Sequence, residues 1–471
     1  MLPPDATVSG GACMNKEDAA KFTRMVQQNP VDAMIAFYAN FGDLTAFSIA
    51  GKAMKGLPML MLGLPDDLQN LTDMRVDTGN GMYLATSHAQ TKKFNFVMAR
   101  PKVCYPESPE FTANVEKFLA ATDTYHSMTG ARIGMLGSDT RDFYQLSMQN
   151  REPLAGMDID LAQENLGRFV EIAFKRRENT TLVMEALTTL KTQSDCSGVP
   201  AEKLTRMAKL LAQMRVWAKA ENLHAAGVDC WTYLQQKAKV CACAAMAAMS
   251  QVRIPFACET DVYGALSMLA ASAAANSAAG LADITNCVFS PAKVEAYLKD
   301  QKIGPALNKI ASAYEMGVGE VLSNLSLPFH CGVWPADLTN EGKIIKQVIM
   351  EKFLPCGDSI GCRAATVKEG SILTTRIAPN AEGGLTAYIF VSQSLAPIAE
   401  SFGNNGFLLT RKQEDVMQAI HGDVTQEEKA PFPHHGAMVY CGPTEADGNR
   451  VADALALGYA FRGIKVMDLR K

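Results

Sequence analysis

Residues 254–271 read IPFACETDVYGALSMLAA. An apolar run from Ile254 ends on Glu259, and after Thr260 and Asp261 an uncharged stretch continues to Ala282, just before Asp283. A short apolar run followed by an Ala-rich one reads as a strand and a buried helix, the repeating unit of a parallel α/β sheet. Residues 264–282 form 19 uncharged positions, but Ala and Ser dominate and large apolar residues are few. That composition suits a helix buried against a sheet better than a membrane span. Ligands of open α/β sheets gather at the carboxyl ends of strands, which makes Glu259 a candidate site residue. Asp261 stands at the start of the helix and reads as its N-cap. Glu259 and Asp283, 24 residues apart, close the two ends of one buried segment. Carboxylates in such places need a cation, a hydrogen-bond network or a raised pKa.

The flanking sequence extends the α/β pattern. In residues 1–128, VDAMIAFYA from Val31, GLPMLMLGLP from Gly56 and FNFVMARP from Phe94 read as strands, and residues 110–127 as a helix. In residues 129–272, ARIGMLGSD from Ala131 and AAGVDCW from Ala225 read as strands. Pro200 opens a helix in which Leu204, Met207, Leu211 and Met214 recur at helical spacing. Residues 175–178, KRRE, read as a solvated helix end. Residues 273–471 turn β-rich: SILTTRIAP from Ser371 and LTAYIFVSQ from Leu385 flank a short Asn/Gly loop, and the chain ends as strand, helix and strand. The expected fold is therefore α/β, with two consecutive parallel-sheet, Rossmann-like domains followed by a β-rich, barrel-like α+β domain.

Composition narrows the function. The chain has 471 residues, enough for two or three domains, with 48% hydrophobic and 20% charged residues. A net charge of −4 offers no basic excess for a phosphate backbone, so nucleic acid is not an expected partner. Twelve cysteines are scattered without a C-x-x-C pair, which predicts buried free thiols in a reducing cytoplasm. The first residues, MLPPDATVSGGACMNK, lack a basic start and an apolar core and do not read as a secretory signal.

Two further groups carry chemistry. His434-His435-Gly436 stands in a Pro- and Gly-bounded loop before a strand, where a histidine pair serves either as polar loop residues or as metal ligands. His330 precedes Cys331-Gly332 in LPFHCGVWP, a weaker signal of the same kind.

CETDVYGALSMLAA, followed by the Asp of GLADI and by His435-Gly436, resembles the metal-binding core of L-fucose isomerase and its relatives, the L-arabinose isomerases. GVDCWTYLQQ, TTRIAPN and NFGD before a Pro-ended strand are also similar, and the resemblance runs from Pro4 to Lys471. It implies a metal-dependent aldose–ketose isomerase that moves a proton between neighbouring carbons of an open-chain sugar through a cis-enediol. Glu259 and Asp283 would be both acid/base pair and metal ligands, and His435 the third ligand. His330 would match the further imidazole of the arabinose isomerases, at a different chain spacing. An oxygen-rich set with open positions suits Mn²⁺, with Mg²⁺ or Co²⁺ as alternatives. Trp231 is a candidate for a sugar face or a core aromatic, Arg376 for a sugar hydroxyl or an internal ion pair, and His434 for a substrate contact or a solvated ring. The expected substrate is L-fucose, D-arabinose, L-arabinose or a modified hexose such as a sulfosugar. The resemblance also implies a trimer or hexamer, and a chain that starts one strand and helix later than its relatives. A sugar-binding protein without catalysis and a metal-dependent sugar lyase or dehydratase are the competing readings.

Overall fold

The computed structural model describes residues 12–54, 56–66, 69, 71–72, 76–140, 143–285, 290–347, 359–399, 401–421 and 432–470. The chain divides into two compact units, Met1–His126 and Ser127–Lys471. Cys287 and Cys356 lie outside the described residues; the described cysteines are free thiols, Cys13 exposed and Cys104, Cys230, Cys241, Cys243, Cys258 and Cys362 buried.

The first unit holds a parallel sheet in the order β1 (Met34–Tyr38), β2 (Met59–Gly63), β3 (Phe96–Val103). These are the strands expected from Val31, Gly56 and Phe94. The sequence of β2, MLMLG, has no polar side chain, and the strand is buried along its whole length, as a central strand covered on both faces must be. Helices Lys16–Gln28, Leu44–Ala53 and Thr78–Thr91 alternate with the strands. Asn15 and Asp43 cap the first two by accepting from the backbone N–H of Asp18 and Thr45.

The second unit opens with a parallel sheet built from β4 (Arg132–Leu136), β5 (Asp160–Glu164), β6 (Ala225–Val228) and β7 (Phe256–Cys258), in the order β5-β4-β6-β7. Helix Val262–Ala275 leaves β7 and packs on β6 and β4 on one side and on β13 (Gly370–Pro379) and β17 (His435–Gly442) on the other. Every residue from Val262 to Ser272 is buried. This explains the Ala and Ser richness: a helix wedged between two sheets has no solvent face and little room for large side chains. Ser267 Oγ donates to the Tyr263 carbonyl at 2.6 Å and accepts the Ile377 N–H at 2.8 Å, tying β13 to the helix.

The second sheet of this unit is mixed, with eleven strands among the described residues. Besides β13 and β17 it contains β8 (Gly280–Asp283), β9 (Leu325–Ser326), β10 (Phe329–His330), β11 (Lys343–Lys346), β12 (Ile360–Thr366), β14 (Leu385–Ser394), β15 (Asn404–Asn405), β16 (Leu408–Leu409) and β18 (Lys465–Asp468). β13 and β14 form the hairpin expected from the sequence, paired from Gly370↔Ser394 to Pro379↔Leu385. Strand β8 lies between β10 and β17 and is antiparallel to both. No helix among the described residues is long and apolar enough to cross a membrane.

Gly227 in β6 lets the turn after β7 come close. A Cβ there would stand 2.7 Å from the Thr260 carbonyl carbon and 3.0 Å from the Asp261 nitrogen. Gly227→Ala is expected to cost about 1–3 kcal/mol of overpacking, read as a lower urea midpoint. Gly319→Ala, in open space on helix Val318–Ser323, is the matched control and should leave the midpoint unchanged or slightly raised.

Candidate metal centre

The site begins where β7 ends. Glu259 and Thr260 both adopt left-handed backbone, at φ +60° and +53°, although neither is glycine. Such conformations cost about 1–3 kcal/mol each and persist only when the surroundings fix them. The Thr260 N–H donates to the Val228 carbonyl at 3.0 Å, and the Asp261 N–H to the Cys258 carbonyl at 3.1 Å. Thr260 Oγ1 donates to the Ser138 carbonyl at 2.7 Å. The turn so held delivers the largely buried Glu259 carboxylate to the imidazoles of the second sheet.

Strand register brings in the other groups. Asp283, the last residue of β8, is opposite His435, the first residue of β17, and opposite Phe329 on β10, next to His330. Residues separated by more than 150 positions along the chain thus meet at adjacent strand ends. His435 Nε2 lies 3.5 Å from Glu259 Oε2 and 3.6 Å from Asp283 Oδ1. His434 Nε2 lies 3.5 and 3.4 Å from the same two oxygens. The ligand atoms of Glu259, His330 and His435 fall within 4.8 Å of one another, as do those of Asp283, His434 and His435.

Asp261 is the residue the sequence undervalued. It caps the helix as expected, accepting the Gly264 N–H at 2.8 Å. It also accepts from His435 Nδ1 at 2.8 Å and from both terminal nitrogens of Arg376, one of them at 2.8 Å. Both members of the Asp261–Arg376 pair are wholly buried. Burial alone would raise the Asp261 pKa, but the Arg376 charge and the His435 bond hold it well below the usual carboxylate range. A carboxylate only accepts, so His435 carries a proton on Nδ1 and turns Nε2 toward Glu259 and Asp283. Burial disfavours charge on His435, yet Glu259, Asp261 and Asp283 together raise its pKa. Burial likewise pushes the Glu259 carboxyl up, and the facing imidazoles outweigh it, leaving the pKa lowered.

Arg376 is therefore an internal ion-pair partner that stands behind His435, the alternative expected for it. The half-exposed His434 ring stacks on Phe143 at 5.5 Å, and its Nδ1 is 2.7 Å from Gln145 Nε2. Trp231 meets Phe143 edge-on at 5.9 Å. Nothing in the sequence marks Phe143 or Gln145 as a site residue, since an isolated Phe or Gln after a strand carries no such signal.

Does this set fit a cation? Glu259 Oε2, Asp283 Oδ1, His435 Nε2 and His330 Nε2 are each buried, and none has a hydrogen-bond partner among the described residues. Native proteins rarely leave buried polar atoms unmatched. Here the four fall into two groups that overlap at His435, and two of them are carboxylate oxygens whose ion-pair partners among the described residues are imidazoles. The donor set fits a hard or borderline divalent ion.

Residues 1–129 match the family described as fucose/sulfoquinovose isomerase, N-terminal domain. Over those residues the chain is similar to a fucose isomerase-like family. That family is one of sugar isomerases, whose substrates are small sugars. The matched residues precede the whole 259–435 constellation, so the site's geometry and the family match are independent observations. No curated protein matches the chain.

The buried pair yields a stability prediction. Asp261→Ala and Arg376→Ala should each destabilise the protein by about 3–5 kcal/mol, because each leaves its partner buried and unpaired. The double variant should lose much less than the sum of the two. Urea titrations of the three variants check both statements.

Proposed function

We propose that this protein is a metal-dependent aldose–ketose isomerase acting on an open-chain sugar. The observation that carries the reading is the meeting of three buried ligand atoms without a hydrogen-bond partner among the described residues, Glu259 Oε2, Asp283 Oδ1 and His435 Nε2. These three residues would hold the ion, Mn²⁺ by preference and Mg²⁺ or Co²⁺ as alternatives. When bound, the ion supplies a Lewis acid that polarises the sugar carbonyl and acidifies the neighbouring C–H.

The chain's own residues do the rest. His435 stays fixed in its ligand tautomer because Asp261 holds Nδ1–H and Arg376 holds Asp261. Glu259 is nearly enclosed, whereas Asp283 keeps part of its surface open, so the two carboxylates face a substrate from unlike environments. One takes a proton from the carbon beside the carbonyl, exchanges it with solvent and delivers a proton to the neighbouring carbon of the cis-enediol, while the other passes a proton from the hydroxyl oxygen to the former carbonyl oxygen. Trp231, Phe143 and His434 form a run of rings at the site's edge, suited to the C–H face of a sugar. A trimer or hexamer, in the cytoplasm, is part of the same reading, and sedimentation reads the assembly.

The test is product analysis by NMR. Mn²⁺-loaded protein is incubated in D₂O with L-fucose, D-arabinose, L-arabinose and a 6-deoxy-6-sulfohexose. One of these should give the ketose with deuterium at the newly protonated carbon. Dialysis against EDTA should abolish conversion and added Mn²⁺ restore it. Glu259→Gln should lower kcat by about 10²–10⁴-fold with the far-UV circular dichroism unchanged. A protein that binds Mn²⁺ but converts no aldose, or one whose turnover survives EDTA, would contradict the proposal.

A further inference from the structure

His330 is bonded through its Nδ1 to a donor, where His435 is bonded through its Nδ1 to an acceptor. A backbone N–H can only donate. The Cys331 N–H points at His330 Nδ1 with a separation of 2.9 Å, so Nδ1 holds a lone pair and the ring's single proton is on Nε2. That Nε2–H is buried and has no acceptor among the described residues. The His330 ring offers a nitrogen within 4.8 Å of a Glu259 carboxylate oxygen and of a His435 ring nitrogen, and the two imidazoles are 5.5 Å apart between centroids.

Ligation through Nε2 would need the proton on Nδ1, where it would face the Cys331 N–H, donor against donor. The ring cannot easily escape by moving its backbone. His330 is held in β10, opposite Asn404, and a Cβ on Gly403 would come within 2.6 Å of the His330 carbonyl oxygen. The side chain is itself buried.

We propose that His330 is a substrate-binding hydrogen-bond donor, aimed at a hydroxyl or carbonyl oxygen of an open-chain sugar beside Glu259, and is not a metal ligand. The sugar part of this statement rests on the isomerase reading; the tautomer and the exclusion from the metal do not. With the metal held by Glu259, Asp283 and His435, an unpaired donor next to them fits an oxygen acceptor and repels a cation. Such a donor discriminates strongly between an analogue that offers the oxygen and one that lacks it.

The experiment compares the unaltered protein with His330→Leu, which removes the donor, and His330→Gln, which keeps an amide N–H. Mn²⁺ affinity is measured without sugar by electron paramagnetic resonance of the free ion. Both variants should bind Mn²⁺ within about threefold of the unaltered protein; a tenfold or greater loss in both would overturn the assignment. Binding of an acyclic alditol to the Mn²⁺-loaded protein, by calorimetry, should weaken at least tenfold in His330→Leu and recover in His330→Gln. Equal alditol affinity in all three would overturn the substrate contact. Should His330→Leu fail to fold, long-range ¹H–¹⁵N correlation on histidine-labelled protein still decides, with His330→Gln identifying the signal. Nε2 of His330 must appear protonated and Nδ1 bare, and the reverse pattern overturns the proposal. Loss of the aldose conversion alone, with these results intact, would count against the isomerase reading and leave the His330 tautomer standing.

Discussion

One carboxylate, Asp261, settles both the packing and the chemistry of the second unit. It accepts from the start of helix Val262–Ala275, from Arg376 on β13 and from His435 on β17. Buried alone, it would be protonated or excluded. Buried with Arg376 it stays charged, and the charge then orders the His435 ring. The two sheets are joined through this residue at the place where the chain must hold its candidate ligands to within fractions of an ångström. An ion pair of this kind is weak evidence for stability by itself, since well-packed apolar residues often do as well. Its value here lies in specifying a tautomer.

The neighbouring histidines show how much a remote partner decides. His330 and His435 are both buried imidazoles near Glu259. One has a carboxylate behind it and the other a backbone N–H. The first is left with a lone pair facing the site and the second with a proton facing it. Proximity alone would group both as ligands, whereas the second nitrogen of each ring separates them.

Much of this was legible in the sequence. The strands of the first unit announced themselves as apolar runs, and β13 and β14 as two strands joined by a short Asn/Gly loop. The stretch 254–271 gave both the strand end and the buried helix. Convergence of Glu259, Asp283 and His435 followed from resemblance to a family, because no local pattern brings residues so far apart together. In the sequence Asp261 reads only as a cap, since capping is a complete local explanation while Arg376 and His435 lie 115 and 174 positions away. Strands β9, β10, β15 and β16 are two residues long and leave no period to detect. β5, DLAQE, is mostly polar because it lies at a sheet edge. The left-handed turn at Glu259 and Thr260 contains no glycine and so carried no sequence signal.

In the proposed centre, Asp261 turns His435 Nε2 toward a cation shared with Glu259 and Asp283. Anomalous diffraction at the manganese edge from crystals grown with Mn²⁺ tests it most directly. One strong peak is expected about 2–2.5 Å from Glu259, Asp283 and His435 Nε2, with His435 Nδ1 still bonded to Asp261 and His330 outside the coordination sphere. A peak elsewhere, or one bound by His435 Nδ1 with Asp261 released, would contradict it.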